Sequence, residues 1–190
     1  LSESDLISRA RTGDDAAWEM LVREHQEPVF RLAYLLLADA HEAEDVAQDT
    51  FVRAFHALHT FDTTRSIRPW LLTIASNLAR NKMRSVKRYL AALRRTAQLE
   101  PGVLDSSVSL SERSAQQWEA HTLWQAVRRL KANEQEVVYM RYFLDLSEAE
   151  MASALRVAPG TIKSRLHRAL ARLRGLVDRE FPALREERQA

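Results

Sequence analysis

Apolar residues recur at three- and four-residue intervals along most of the chain, and no strict alternation lasts long enough to build a sheet. The pattern predicts an all-α protein. Ser4 and Asp5 offer a cap for a short helix ending near Gly13. Asp14 or Asp15 then starts a second, with Trp18, Leu21, Val22 and His25 on one face. Pro28 marks a kink or a fresh start, and the following run from Val29 to Leu37 is apolar nearly all round, as a buried helix would be. Between Asp39 and Leu58 the spacing turns Val46, Thr50, Phe51, Ala54, Phe55 and Leu58 inward and Glu42, Glu44, Asp45, Gln48, Asp49 and Arg53 outward. A polar loop at 61–69 ends at Pro69, which opens a helix through Trp70, Leu71, Ile74, Ala75 and Leu78 to about Arg84 or beyond. Its outer faces hold Ser76, Asn77, Arg80, Asn81, Lys82 and Arg84.

Pro101-Gly102 and a serine-rich run then read as a flexible linker. Helical spacing resumes at Trp118, and Asn133 with Glu136 sits at cap and N3 of the next helix. The stretch 146–174 reads as two short helices with a tight joint. Ser147 and Glu150 have capping-box spacing, Met151, Ala152 and Leu155 share one face, and Pro159 suits a new first turn. Ile162, Leu166, Ala169, Leu170 and Leu173 form the second helix's stripe. From Arg156 to Arg174 there are six Lys or Arg and no acid. That is the layout of a helix-turn-helix, whose second helix lies in the major groove. The ordinary alternative is an amphipathic hairpin with a solvated basic face. Two small helical domains follow from this reading: 1–88, a linker at 89–118, then 119–175 with the helix-turn-helix. A charged tail at 176–190 has no assigned role.

Composition narrows the chemistry. There is no cysteine, which removes disulfides and thiolate metal sites and fits a cytoplasmic protein. No apolar run approaches the ~18 residues of a membrane span, and no signal-peptide pattern opens the chain. Net charge is +2 but unevenly spread. Residues 1–62 carry five Lys or Arg against thirteen acids, while 63–95 carry nine and no acid. Such asymmetry suggests two kinds of partner, the basic block facing nucleic acid. The acidic face at 42–49 is otherwise a solvated helix N-terminus, where acids favour the dipole. Amides and cations at 77–84 beside a hydroxyl-rich loop would suit single-stranded nucleic acid, or form a solvated basic helix. No glycine-rich phosphate loop or metal-spaced cluster occurs, and the six histidines are scattered. Neither enzyme activity nor a metal or cofactor is expected.

Two stretches taken together, AEDVAQDTFVRAFHAL at 43–58 with FDTTRSIRPWLLTIASNLARNKMRS at 61–85, and LKANEQEVVYMRYFLDLSEAEMASALRVAPGTIKSRLHRALARLR at 130–174, resemble bacterial RNA polymerase sigma factors of the extracytoplasmic-function type. The resemblance implies a promoter-recognition subunit. Its core-polymerase docking helix would be the one carrying Asp45, Gln48, Asp49, Phe51, Val52 and Arg53. The single-stranded −10 element would be captured and melted by the loop from Phe61 to Ile67, including Arg65 and Ser66, then Trp70, Asn77, Arg80, Asn81 and Arg84. The double-stranded −35 element would be read by Lys163, Ser164, Arg165, His167, Arg168 and Arg172. The resemblance also implies an anti-sigma partner. This sequence departs from the family where Asn81 replaces a frequent acid and Ala158 a frequent capping serine. The rival classes are a stand-alone helix-turn-helix regulator with an N-terminal effector or dimerisation domain, and a sigma-like adaptor that binds polymerase without starting transcription.

Overall fold

A computed structural model of the chain describes residues 2–97 and 123–180. Helix α1 (Glu3–Arg11) is closed at its N-terminus by Ser2, whose hydroxyl accepts the Asp5 N–H while the Asp5 carboxylate accepts the Ser2 N–H. The cap therefore lies two residues before the expected Ser4, because Asp5 sits three residues after Ser2 and completes a reciprocal box there. Asp14 caps α2 (Asp15–Leu37) by accepting from the Ala17 N–H at 3.1 Å. Pro28 lies inside α2 without ending it. The helix stops at Ala38, which adopts a left-handed φ of 57° and returns its N–H to the Tyr34 carbonyl. Asp39 caps α3 (Ala40–Ala57), and a 3-10 turn (Leu58–Thr60) leads to the loop before α4 (Ile67–Ala97).

Helix α2 is the centre of the first domain and packs against α1, α3 and α4. Leu21, Leu32, Ile67, Leu71 and Leu72 are fully buried there. The second domain comprises the helical residues 123–128 (α5), α6 (Ala132–Tyr142), α7 (Glu148–Leu155) and α8 (Pro159–Glu180). Trp124 stacks on Tyr139 with ring centroids 5.5 Å apart, and Phe143 meets both rings edge-on. The helix-turn-helix forms as the spacing requires. Ser147 and Glu150 make the capping box, Met151, Ala152 and Leu155 are buried, and Arg156 takes the left-handed joint with φ 52°. Among the described residues there is no strand.

The domains meet along a seam in which α7 packs on α4 and α6 on α2. Their buried apolar side chains form one continuous cluster. Polar contacts stitch the edges: the Arg68 guanidinium donates to the Leu144 carbonyl at 2.7 Å and Arg31 to the Phe143 carbonyl at 3.4 Å. A cleft of about 360 Å³ remains between them, lined by His25, Arg31 and Arg68 from one side and Phe143 and Asp145 from the other.

Several inward and outward assignments change. Leu170 is 37 % exposed, whereas Ile162 and Ala169 are fully buried. At 100° per residue, position 170 has rotated off the stripe that 162, 166, 169 and 173 share. Phe55 is 46 % exposed although its spacing matched the core, and Ser76, expected outside, is fully buried. Asn133 and Glu136 do not cap α6. The helix starts earlier, with Glu134 accepting the Lys131 N–H, and Glu136 is drawn into the seam. Helix α4 runs on to Ala97, past residue 88, and α8 runs through Gly175, so that Leu176 is buried. The linker beyond Ala97 and the tail beyond Glu180 lie outside the described residues.

These differences separate two leucine-sized side chains of α8. Ile162→Ala should cost about 2–4 kcal/mol through lost burial and a residual cavity, and Leu170→Ala under about 1 kcal/mol. Urea unfolding followed by far-UV circular dichroism measures both. Equal costs would place Leu170 in the core after all.

Candidate nucleic-acid and docking surfaces

The first surface is the solvent face of α8. Lys163, Ser164, His167 and Arg168 are exposed. Their local bonds are to the helix itself: Ser164 Oγ donates to the Thr161 carbonyl at 3.0 Å and Arg168 Nε to the Ser164 carbonyl at 3.1 Å. Nothing in the second domain's core depends on them. Two other predicted residues of this helix are engaged. Arg172 donates to the buried Glu134 carboxylate at 3.0 Å, and Arg165 is half-buried, with its charge acting on Glu136.

The second surface runs from the 61–66 loop along α4. Phe61 is not available at the surface. It is 7 % exposed, lies 4.8 Å from the Trp70 ring, and has its carbonyl bonded by Arg11. The rest of the loop projects outward as a polar turn, in which Asp62 accepts the Thr64 N–H at 3.0 Å and hydroxyl at 2.7 Å and pairs with Arg65 at 3.3 Å. The Thr64 bonds, then Arg65 and Arg11, hold the Asp62 carboxyl below its usual range. Arg65 and Ser66 are exposed, and Trp70 is half-buried. On α4 two amide–guanidinium pairs stand one turn apart: Arg80 donates to Asn77 at 3.1 Å and Arg84 to Asn81 at 2.7 Å. Asn77, Asn81 and Arg84 are exposed; Arg80 is half-buried, with its guanidinium 3.5 Å from Glu136.

The third surface is the outer face of α3. Asp45, Gln48, Asp49, Val52 and Arg53 are exposed, Val52 by 55 %, and Phe51 is half-buried. Trp18 of α2 packs against Phe51 and Phe55 at centroid distances of 6.3 and 5.3 Å, extending the apolar strip across two helices. Phe55 was missed as a surface residue because an aromatic side chain at helical spacing reads as core, whereas Trp18 packs against the core as its spacing required. An acidic rim with an apolar strip is the composition of a protein-docking face. Lys82 of α4 joins this face to the second surface, pairing with Glu42 and with Asp45 at 3.1 Å.

Residues 21–89 match the family Sigma-70 region 2, and residues 120–173 match Sigma-70, region 4. The extracytoplasmic-function (ECF) RNA polymerase sigma factor SigW of Bacillus subtilis is 32 % identical over 88 % of this chain and 92 % of its own length. SigL of Mycobacterium tuberculosis is 34 % identical over 88 % of this chain and 93 % of its own. The chain belongs to the ECF sigma factors.

As a sigma factor it directs RNA polymerase to promoters and starts transcription there. The solved structure of CnrH with the cytosolic domain of CnrY superposes with a TM-score of 0.69 at 26 % identity, covering 94 % of this chain and 98 % of that one. The sigma factor RpoE of Bartonella quintana, solved with the anti-sigma factor NepR, gives 0.63 at 25 % identity, covering 85 % of this chain and 97 % of that one. Among the described residues no helix is long and apolar enough to cross a membrane, and no group of metal-ligating side chains converges.

The geometry divides the arginines of α8. Arg172→Ala leaves the Glu134 carboxylate, 8 % exposed, without its cation and should cost about 1–3 kcal/mol of stability. Arg168→Ala removes no tertiary partner and should stay within about 0.5 kcal/mol. Urea melts of the two variants read the difference, and equal melts would show that the Glu134 pair carries no weight.

Proposed function

We propose that the three surfaces divide the work of a sigma factor among them. The α3 face, through Asp45, Gln48, Asp49, Phe51, Val52 and Arg53, docks core RNA polymerase. The loop with Arg65 and Ser66, and α4 with Trp70, Asn77, Arg80, Asn81 and Arg84, captures the −10 element as a single strand. In α8, Lys163, Ser164, Arg165, His167 and Arg168 contact the −35 duplex, while Arg172 orients the helix through Glu134. On this reading residues 1–88 form the polymerase and −10 domain and 119–175 the −35 domain, with 89–118 between them. Phe61 acts by propping the loop on Trp70 rather than by touching a base. The protein catalyses no reaction of its own, because bond formation belongs to the polymerase, and it works in the cytoplasm, where promoters and polymerase are.

The observation that carries this reading is the exposed amide–guanidinium ladder of α4. It lies beside an ordered hydroxyl-bearing turn, and Lys82 ties it to the acidic face of α3. Such a surface offers cations to a backbone and fixed amide edges to unstacked bases. Single-strand capture must offset the few kcal/mol needed to extract bases from the stack. The anti-sigma complex of RpoE supports a protein inhibitor of that class for this chain as well.

Charge reversal tests the docking face. Asp45 is 69 % exposed and Glu42 can retain Lys82, so Asp45→Arg with Asp49→Arg should leave the thermal midpoint nearly unchanged. Like charges brought together across an interface cost several kcal/mol, so co-elution with core polymerase on gel filtration should be lost. A variant that co-elutes as wild type does would remove α3 from the interface. On the DNA side, Lys163→Ala and Arg168→Ala should each weaken holoenzyme binding to a matching promoter by about 1–3 kcal/mol. Wild-type affinity in both would move the reading surface off α8.

A further inference from the structure

The deepest charge in the described protein belongs to no surface discussed so far. Glu136 of α6 is 1 % exposed, yet its partners come from elsewhere in the fold. Ser76 of α4 donates its hydroxyl to one carboxylate oxygen, and the Arg80 guanidinium stands 3.5 Å from the other. Arg165 of α8 is close enough for its charge to act on the same group. One carboxylate from the second domain therefore sits where a phosphate would sit against Arg80, and within the field of a second arginine expected to face DNA.

We infer that Glu136 is an autoinhibitory clasp, holding the free protein in a closed form whose −10 and −35 surfaces cannot engage a promoter together. The geometry makes the exclusion. Two helices that share a carboxylate cannot at the same time lie on two promoter elements that the sigma-factor resemblance implies are one and a half to two turns of duplex, ~50–70 Å, apart. Arg80 cannot pair with Glu136 and with a backbone phosphate using the same edge. Opening is not limited by the chain, since residues 98–122 reach ~85 Å when fully extended.

The clasp is also built to release. Burial pushes the Glu136 carboxyl above the usual carboxylate range, against the pull of Ser76, Arg80 and Arg165, so keeping it charged in the seam is costly. Separation returns it to water. Besides the apolar packing of α7 on α4 and α6 on α2, the other polar contacts described across the seam are edge bonds from Arg68 and Arg31 to backbone carbonyls, beside an open cleft. A population that is mostly closed binds DNA with an apparent affinity reduced by its open fraction.

The inference rests on α4 and α8 being the DNA readers, and its test separates the two. Ser76→Asp sets a second carboxylate against Glu136, and Glu136→Lys sets a third cation beside Arg80 and Arg165. Both should open the full-length protein, with a radius of gyration by small-angle scattering larger by about 3 Å or more. Both should tighten polymerase-free binding to a forked promoter fragment carrying the −35 duplex and a single-stranded −10 element at least about tenfold over a scrambled one. Because the two variants add opposite charge, a shared gain cannot come from non-specific attraction to DNA. If either variant fails to fold, a covalent lock replaces it. The chain has no cysteine, so Arg31→Cys with Phe143→Cys can be bridged across the seam by a bis-maleimide carrying a disulfide in its spacer. The bridged protein should lose run-off transcription with core polymerase at least about tenfold and recover it on reduction. Unchanged scattering and affinity in the folded variants, or full transcription by the bridged protein, overturns the clasp. Failure of α8 as reader shows instead as wild-type promoter affinity in Lys163→Ala and Arg168→Ala.

Discussion

Two stretches of duplex separated by one and a half to two turns set the problem this chain has to solve. A single rigid helical domain cannot touch both, so the reading surfaces must sit on separable bodies. The structure meets that demand with two small domains, the first organised around α2 and the second around α8, which packs against both α6 and α7. Their apolar interiors nevertheless run together across the seam, and the described protein is closed. Separability therefore depends on what else lies in that seam. Glu136 is the answer the fold provides: a charge that apolar packing alone would not place there, held by Ser76 and Arg80 and resisted by its own desolvation.

The same helix, α4, takes part in two of the three surfaces and in the seam. At its start Arg68 bonds the second domain, along its middle Arg80 meets Glu136, and two residues on Lys82 pairs with the acids of α3. A partner that neutralises Glu42 and Asp45 would free Lys82, and a phosphate that captures Arg80 would weaken the clasp. On the proposed assignment, polymerase docking, strand capture and domain opening would act on neighbouring side chains of one helix. Helix α8 is organised differently. Its buried stripe and the Arg172–Glu134 pair fix it to its own domain, leaving Lys163, His167 and Arg168 with no structural duty.

Local signals carried most of this into the sequence. The capping box of Ser147 and Glu150, Pro159 in the first turn of α8 and the Ile162–Ala169 stripe can be read without tertiary knowledge, and each stands as expected. The misreadings share a cause. Glu136 has the spacing of a cap residue from Asn133, but its partner Ser76 is sixty residues away, and no local pattern encodes that distance. Ser76 looked solvent-facing because the helix that buries it belongs to the other domain. Phe55 looked buried because an aromatic at i+4 from Phe51 normally is, whereas here it extends a surface strip with Trp18. Phe61, among the DNA contacts the resemblance implies, is buried against the Trp70 ring, a packing that only the fold shows. Elements and motifs were legible; the seam between domains was not.

One chain is expected to read two promoter elements as part of polymerase. Run-off transcription from a randomised promoter library, with purified core polymerase and the full-length protein, tests it most directly. The templates transcribed should carry two recurring sequence blocks one and a half to two turns apart, and none should be enriched when either protein is omitted. Enrichment of a single palindromic block, or transcripts no different from those of core polymerase alone, would contradict it.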